Sequence, residues 1–165
     1  MQAAFKLFIR RTTCNGIICV IGLLFVVTSC KKKEPPPSPS PAKTVAEQIS
    51  RAWKAKTVKH GASTVYTEGG PGNAVPGYSN FRLDLRNPNT ATLKEVDNTT
   101  FTGTWQLVND AKLVLNSLAP LPTGTNGTLE YTISETPIET ELKLTRTATS
   151  TKTGNTINEY TLVPE

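Results

Sequence analysis

From Trp53 to Val163 apolar and polar residues alternate with a period of two, and turn residues recur about every 8 to 12 positions. The clearest run sets Phe81, Leu83 and Leu85 against Arg82, Asp84 and Arg86, which predicts a strand with one face buried and one in water. Before it, Trp53 to Lys59 and Ser63 to Thr67 read as a pair of strands around Gly61. After the turn Asn87-Pro88-Asn89-Thr90 comes a strand from Thr92 to Val96, turned by Asp97-Asn98. Phe101, Gly103, Trp105 and Leu107 share the next buried face, and Asn109-Asp110 is a tight hairpin signal that places Leu113 and Leu115 on the return strand. Beyond a Pro/Gly loop from Pro120 to Gly127, Leu129, Tyr131 and Ile133 alternate, then Leu142 and Leu144, and Ile157 to Val163 forms the last strand. Such local connections predict an all-β fold, an antiparallel up-and-down meander of eight to nine strands. It would form a barrel or a half-barrel, and full closure would remove the exposed edges.

Thr44 to Ala52 departs from this period. Thr44 can cap a helix, Glu47 stands where a capping box needs it, and Val45, Ile49 and Ala52 would share a face. This predicts one short helix packed across an end of the sheet.

Residues 1–43 follow a different logic. Lys6, Arg10 and Arg11 make a cationic start, and Ile17 to Val27 is uncharged and apolar. A run of about eleven residues is short of the ~20 a spanning helix needs and has the length of a signal-peptide core. Val27, Thr28 and Ser29 then precede Cys30. This resembles the lipobox of bacterial lipoproteins. The resemblance implies a signal peptide over 1–29, cleavage between Ser29 and Cys30, a diacylglycerol thioether on Cys30 and acylation of its new amino group. Acyl chains contribute about 0.8 kcal/mol per buried methylene, so such an anchor in membrane lipid is effectively permanent. Residues 30–43 read as the lipidated cysteine and a tether, because Glu34 to Ala42 holds five prolines and nothing able to seed a core. Residues 44–165 are then one domain with one core.

Charge and cysteine counts change with this division. The whole chain carries +5, but from residue 44 onward there are 11 basic and 12 acidic side chains. The basic excess belongs to the export and anchor segments, so it gives no reason to expect a nucleic-acid partner. Lys31, Lys32 and Lys33 beside the lipid suit anionic head groups or a solvated run. Cys14 and Cys19 would leave with the signal peptide, so no disulfide, cysteine metal site or cofactor is expected. His60, the single histidine, reads as an exposed strand-end residue.

An early Trp53 and the run Thr102-Gly103-Thr104-Trp105-Gln106-Leu107, behind a lipobox and short tether, resemble the small lipocalin-like lipoproteins of the Bacteroidetes group. The resemblance implies a barrel or half-barrel over about Thr44 to Val163. It carries no ligand and no functional residue with it.

Candidate chemistry is sparse. Ser40-Pro41-Ala42-Lys43, Tyr78-Ser79-Asn80 and Lys152-Thr153-Gly154 follow the order used by penicillin-recognising serine hydrolases. That chemistry needs the serine and lysine on one helical turn, and here both lie in the proline tether. The glycine-rich Glu68 to Asn73 is followed by no Gly-Lys-Ser or Gly-Lys-Thr, and reads as a loop able to cover a barrel mouth. The sequons at Asn98 and Asn126 read as turns, and the acidic residues as outward-facing. No catalytic residue is assigned.

Trp53, Phe81, Phe101, Trp105, Tyr131 and Tyr160, with Tyr66 and Tyr78, would line either an apolar ligand cavity or an ordinary core. The sequence therefore leaves two non-enzymatic readings open. One is an envelope lipoprotein that binds a small apolar ligand. The other is a structural or accessory subunit of a cell-envelope complex, using the outside of a filled barrel. Lys31 stands where an aspartate would suggest inner-membrane retention, so the expected location is the outer membrane, facing the periplasm.

Overall fold

A computed structural model of the protein describes residues 41–165. The expected signal peptide, the expected Ser29–Cys30 cleavage point, the expected lipidation of Cys30 and most of the expected tether lie outside the described residues.

The described residues form one short α-helix and nine strands, in the order α1 (Val45–Ile49), β1 (Ala52–His60), β2 (Ser63–Thr67), β3 (Arg82–Asp84), β4 (Ala91–Lys94), β5 (Thr100–Val108), β6 (Lys112–Ala119), β7 (Leu129–Ile133), β8 (Leu142–Arg146) and β9 (Asn158–Pro164). From β3 to β9 each strand pairs antiparallel with the next. β9 then pairs with β1 along nearly all of β1, from Trp53↔Pro164 to His60↔Asn158. The other side of β1 is divided: its first residues pair with β3 and its last four with β2. The result is a closed eight-stranded, lipocalin-like up-and-down barrel with β2 as an extra strand. The half-barrel alternative falls because β1 and β9 join.

Two bulges help shape the barrel. Ala55 pairs with Leu162 and Thr57 with Thr161, so Lys56 is an extra residue in β1. The inward positions therefore pass from Trp53 and Ala55 to Val58. In β6 the register steps between Thr102↔Ala119 and Thr104↔Asn116, and Ser117 takes a φ of 53°. Leu113 and Leu115 face inward before that step, and Leu118 is buried after it. Each bulge bends its strand and resets the period of two. Gly103 lies opposite the second bulge, where a Cβ would run into the Asn116 carbonyl oxygen. That close approach explains the glycine in Gly103-Thr104-Trp105.

The helix is shorter than the sequence suggested. Its capping box forms, with Thr44 Oγ1 accepting from the Glu47 amide and the Glu47 carboxylate accepting from the Thr44 amide. It stops at Ile49, however, and Ala52 belongs to β1 because the ladder to Asp84 begins there. Ile49 is fully buried, and the Trp53 indole N–H donates to its carbonyl at 2.8 Å. The Trp105 indole donates to the Asn87 carbonyl at 3.1 Å, in the β3–β4 loop. Both tryptophans thus bury their rings at the helix end of the barrel and spend their one polar group on backbone. The hairpin after β5 also carries one more residue than expected. Asn109 and Asp110 are left-handed and Ala111 N donates to Val108 O, but Val108 pairs with Lys112.

The inside of the barrel is packed. Trp53, Leu83, Leu93, Phe101, Leu113, Leu115, Leu118, Leu129, Leu142, Leu144 and Leu162 are each no more than 2% exposed. The edge of β2 is covered too: Asn73 accepts from the Thr67 amide and donates to the Thr67 carbonyl, and Val75 N donates to Val65 O. The glycine-rich segment is therefore pinned along an edge, and the residues after it cover the mouth.

Candidate functional site

Strand direction places α1, the hairpin at Asn109 and the β7–β8 loop at one end of the barrel. At the other end lie the β1–β2 turn, the β4–β5 turn and the β8–β9 connection. This second end is the mouth, and it is roofed by two short 3-10 segments. The first, Pro76–Asn80, begins on a proline, whose fixed φ suits a first helical position, and buries Tyr78. Gly77 lets it seat: a Cβ there would come within 2.5 Å of the Val96 carbonyl oxygen. The second, Thr151–Thr153, ends on Gly154 in the left-handed region at φ 71°.

An ion cluster ties the β8–β9 roof to the β4–β5 turn. Lys152 Nζ donates to Glu95 Oε2 at 2.6 Å and to Asp97 Oδ2 at 2.9 Å, and stands 5.1 Å from the Phe101 ring centre. Burial alone would lower the Lys152 pKa, but its bonds to Glu95 and Asp97 outweigh that and hold it above the ordinary value. The bond from Lys152 in turn pushes Asp97 down to about 2. Glu95, with a side chain only 13% exposed, corrects the expectation that every carboxylate faces outward.

Beneath this roof lies a polar layer that the sequence analysis did not foresee. Thr153 and Thr156 hydroxyls both donate to Asn158 Oδ1, and Asn158 Nδ2 donates to the Tyr160 hydroxyl at 3.3 Å. Tyr160 stacks on Phe81 with ring centres 5.0 Å apart and meets Tyr78 and Tyr131 edge-on. Burial raises the pKa of Tyr78, Tyr131 and Tyr160, so all three keep their protons. His60 does end β1, but it is not exposed. It is half-buried and bonded to Tyr78, and that burial lowers its pKa.

All eight aromatic residues singled out from the sequence are buried, Tyr66 and Tyr78 included, and the other six divide between two places. Phe81, Tyr131 and Tyr160 form the aromatic cluster below the mouth, Phe101 lies under Lys152, and Trp53 and Trp105 close the helix end. They fill space rather than surround it. Among Tyr78, Phe81, Arg146, Lys152, Asn158 and Tyr160 the free volume is about 10 Å³, room for one water molecule.

Of the hydrolase-like tripeptides, Tyr78 and Lys152 both border the mouth, with Lys152 held by two carboxylates. Ser40 lies outside the described residues.

Arg146 is the residue the sequence reading passed over. It follows Leu142 and Leu144 at the same spacing of two, and is 6% exposed. Strict parity along β8 would have placed it inside. Asn158, also buried, shares the inward parity of Tyr160 and Leu162 in β9, whereas the buried Ser150 carries no such signal because it lies in the irregular β8–β9 connection.

No protein-family model, no curated protein and no solved structure matches the chain. Barrel geometry and the chemistry of the mouth therefore carry the functional argument.

Proposed function

We propose that this chain is a non-enzymatic, lipid-anchored module of the bacterial cell envelope, whose filled barrel works through its outer surface as an accessory subunit of an envelope complex. The observation that carries this reading is the packed interior. A pocket for a small apolar ligand takes about 300–1,000 Å³ lined largely by apolar groups. The space at the mouth is only about 10 Å³, and Glu95, Arg146 and Lys152 border it beside Phe81 and Val96. The outer wall, by contrast, offers a polar surface. A shallow hollow of about 300 Å³ runs over β1, β8 and β9, bordered by Thr57, Lys59, Glu135, Lys143 and Thr161. Ion pairs Lys59–Glu159 and Lys143–Glu135 lie along it. A surface of this kind suits a non-obligate partner more than an obligate apolar one.

Anchoring rests on Cys30 and the residues before it. The polyproline-like tether would hold the barrel clear of the head groups, on the periplasmic face of the outer membrane. Native mass spectrometry of the full-length protein, purified from its host's membranes, tests the reading. The expected species is a triacylated chain starting at Cys30, free of apolar ligand and associated with a protein at fixed stoichiometry. A stoichiometric apolar small molecule held by the barrel would overturn it in favour of a ligand carrier.

A further inference from the structure

The β8–β9 connection folds on itself. Ser150 N donates to the Thr156 carbonyl, and the Ser150 carbonyl accepts from the Thr153 and Asn155 amides. Gly154 and Asn155, both left-handed, close the turn. Among the described residues, the hydrogen bonds that leave residues 150–156 go to two places. Thr153 and Thr156 bond Asn158 at the foot of the same connection, and Lys152 reaches across the mouth to Glu95 and Asp97. Thr151 approaches Gly124 of the β6–β7 loop, with no hydrogen bond between them. The two ends of the unit differ. Ala148 and Thr149 are exposed and make no backbone hydrogen bond among the described residues. Ile157, by contrast, is fixed to the β1–β2 turn, because Gly61 N donates to its carbonyl.

We propose that residues 150–156 are a flap over the mouth, latched shut by Lys152 on Glu95 and Asp97, which lifts by bending at Ala148 and Thr149 while the barrel beneath stays folded. The layer under the flap supports this. Apolar side chains would seal the end of a filled barrel at least as stably as buried charged groups do. Tyr78, Arg146, Asn158 and Tyr160 lie there instead, and the Arg146 Nε–H is buried with no partner among the described residues. A buried donor left without a bond weakens the closed form, and opening the mouth that Arg146 borders lets water offset that loss. The latch works the other way. The Lys152 and Glu95 side chains are only 20% and 13% exposed, so salt and solvent screen their bond little. Lifting the flap uncovers a layer of hydroxyl, amide and guanidinium groups and leaves the leucine core and the β1–β9 closure in place. It is thus a local opening, easier than unfolding the barrel.

The test measures how fast a thiol under the flap reacts. Ser150 borders the mouth and is 4% exposed, so Ser150→Cys in the detergent-solubilised full chain puts a small thiol beneath the flap. Ala91→Cys, at a fully buried position of β4, is the control for global unfolding. Alkylation by a maleimide is read by mass on the peptide that holds each position, so other cysteines do not interfere. The Ser150→Cys thiol should react faster than the Ala91→Cys thiol. Adding Lys152→Met should speed the first, relative to the second, by about tenfold, the usual weight of a charge-assisted hydrogen bond. Where that variant does not fold, Asp97→Asn removes the more exposed half of the latch and should speed the same reaction by a smaller factor. Equal rates at the two positions would overturn the proposal, because the mouth would then open only when the barrel unfolds. So would a Ser150→Cys rate that does not rise when the latch is cut.

Discussion

His60 Nε2 lies 2.7 Å from the hydroxyl of Tyr78, joining the end of β1 to the first roof segment of the mouth. Tyr78 keeps its proton because burial raises its pKa, so a protonated hydroxyl meets a neutral imidazole, and the imidazole tautomer sets which of the two donates. Burial also holds the His60 pKa below its ordinary 6.5. The unfolded chain then binds a proton near 6.5 that the folded chain still refuses. This contribution to stability is complete above that value and declines as pH falls from 6.5 toward the lowered folded pKa. Urea midpoints between pH 7.5 and pH 5.5 should fall further in the wild type than in His60→Gln. Equal slopes would mean that the imidazole is not held neutral.

Removing the hydroxyl tests the same contact from the other side. Tyr78→Phe should cost about 1 kcal/mol, the usual worth of a hydrogen bond with a half-buried partner. The His60 pKa should then move in an NMR titration. An unmoved His60 resonance would show that the two residues are not coupled.

The tie across the mouth has an acid signature. Asp97 is held near 2 chiefly by Lys152, so its contribution is present above the ordinary carboxylate value and is lost as pH falls toward 2. Asp97→Asn should therefore be less stable than wild type at pH 5, with most of that gap closed at pH 2. Exposure of this side chain limits the difference to at most about 1 kcal/mol. Denaturant melts at the two pH values check it, and a gap undiminished at pH 2 would contradict it.

Two glycines are required by close approach. Gly77→Ala would press on the Val96 carbonyl, and Gly103→Ala on that of Asn116. Each should destabilise the domain by about 1–3 kcal/mol, as overpacking does. Gly61→Ala meets no atom within 4 Å and suffers only the backbone strain of φ 57°, so it should cost less than either in the same urea series.

Much of this barrel is legible in the chain. Phe81-Leu83-Leu85 and Leu142-Leu144 alternate as half-buried strands must, and Thr44 and Glu47 announce a capping box. The reading stops where the period breaks. A bulge at Lys56 and another at Ser117 shift the buried set by one residue, and nothing in the local sequence marks either. The mouth was hidden for a different reason. Its residues come from three connections far apart in the chain, and only closure of β1 on β9 brings His60, Tyr78, Glu95, Lys152 and Asn158 together. Whether the aromatic residues line a cavity or fill it is decided by side-chain volume against barrel volume, a three-dimensional quantity.

For the anchor, Cys30→Ser should abolish incorporation of labelled palmitate and leave a precursor 29 residues longer than the mature chain. Normal processing and membrane retention in that mutant would remove the lipoprotein reading.

The central claim is that the barrel is full. The chain has two tryptophans, Trp53 and Trp105, and both rings lie inside it, so they report on anything that enters. Tryptophan emission of the full-length protein, followed while oleate is added, should stay unchanged in wavelength and intensity up to the solubility limit of the fatty acid. A saturable change with one-to-one stoichiometry would mean that the interior opens to an apolar ligand and that the filled-barrel account is wrong.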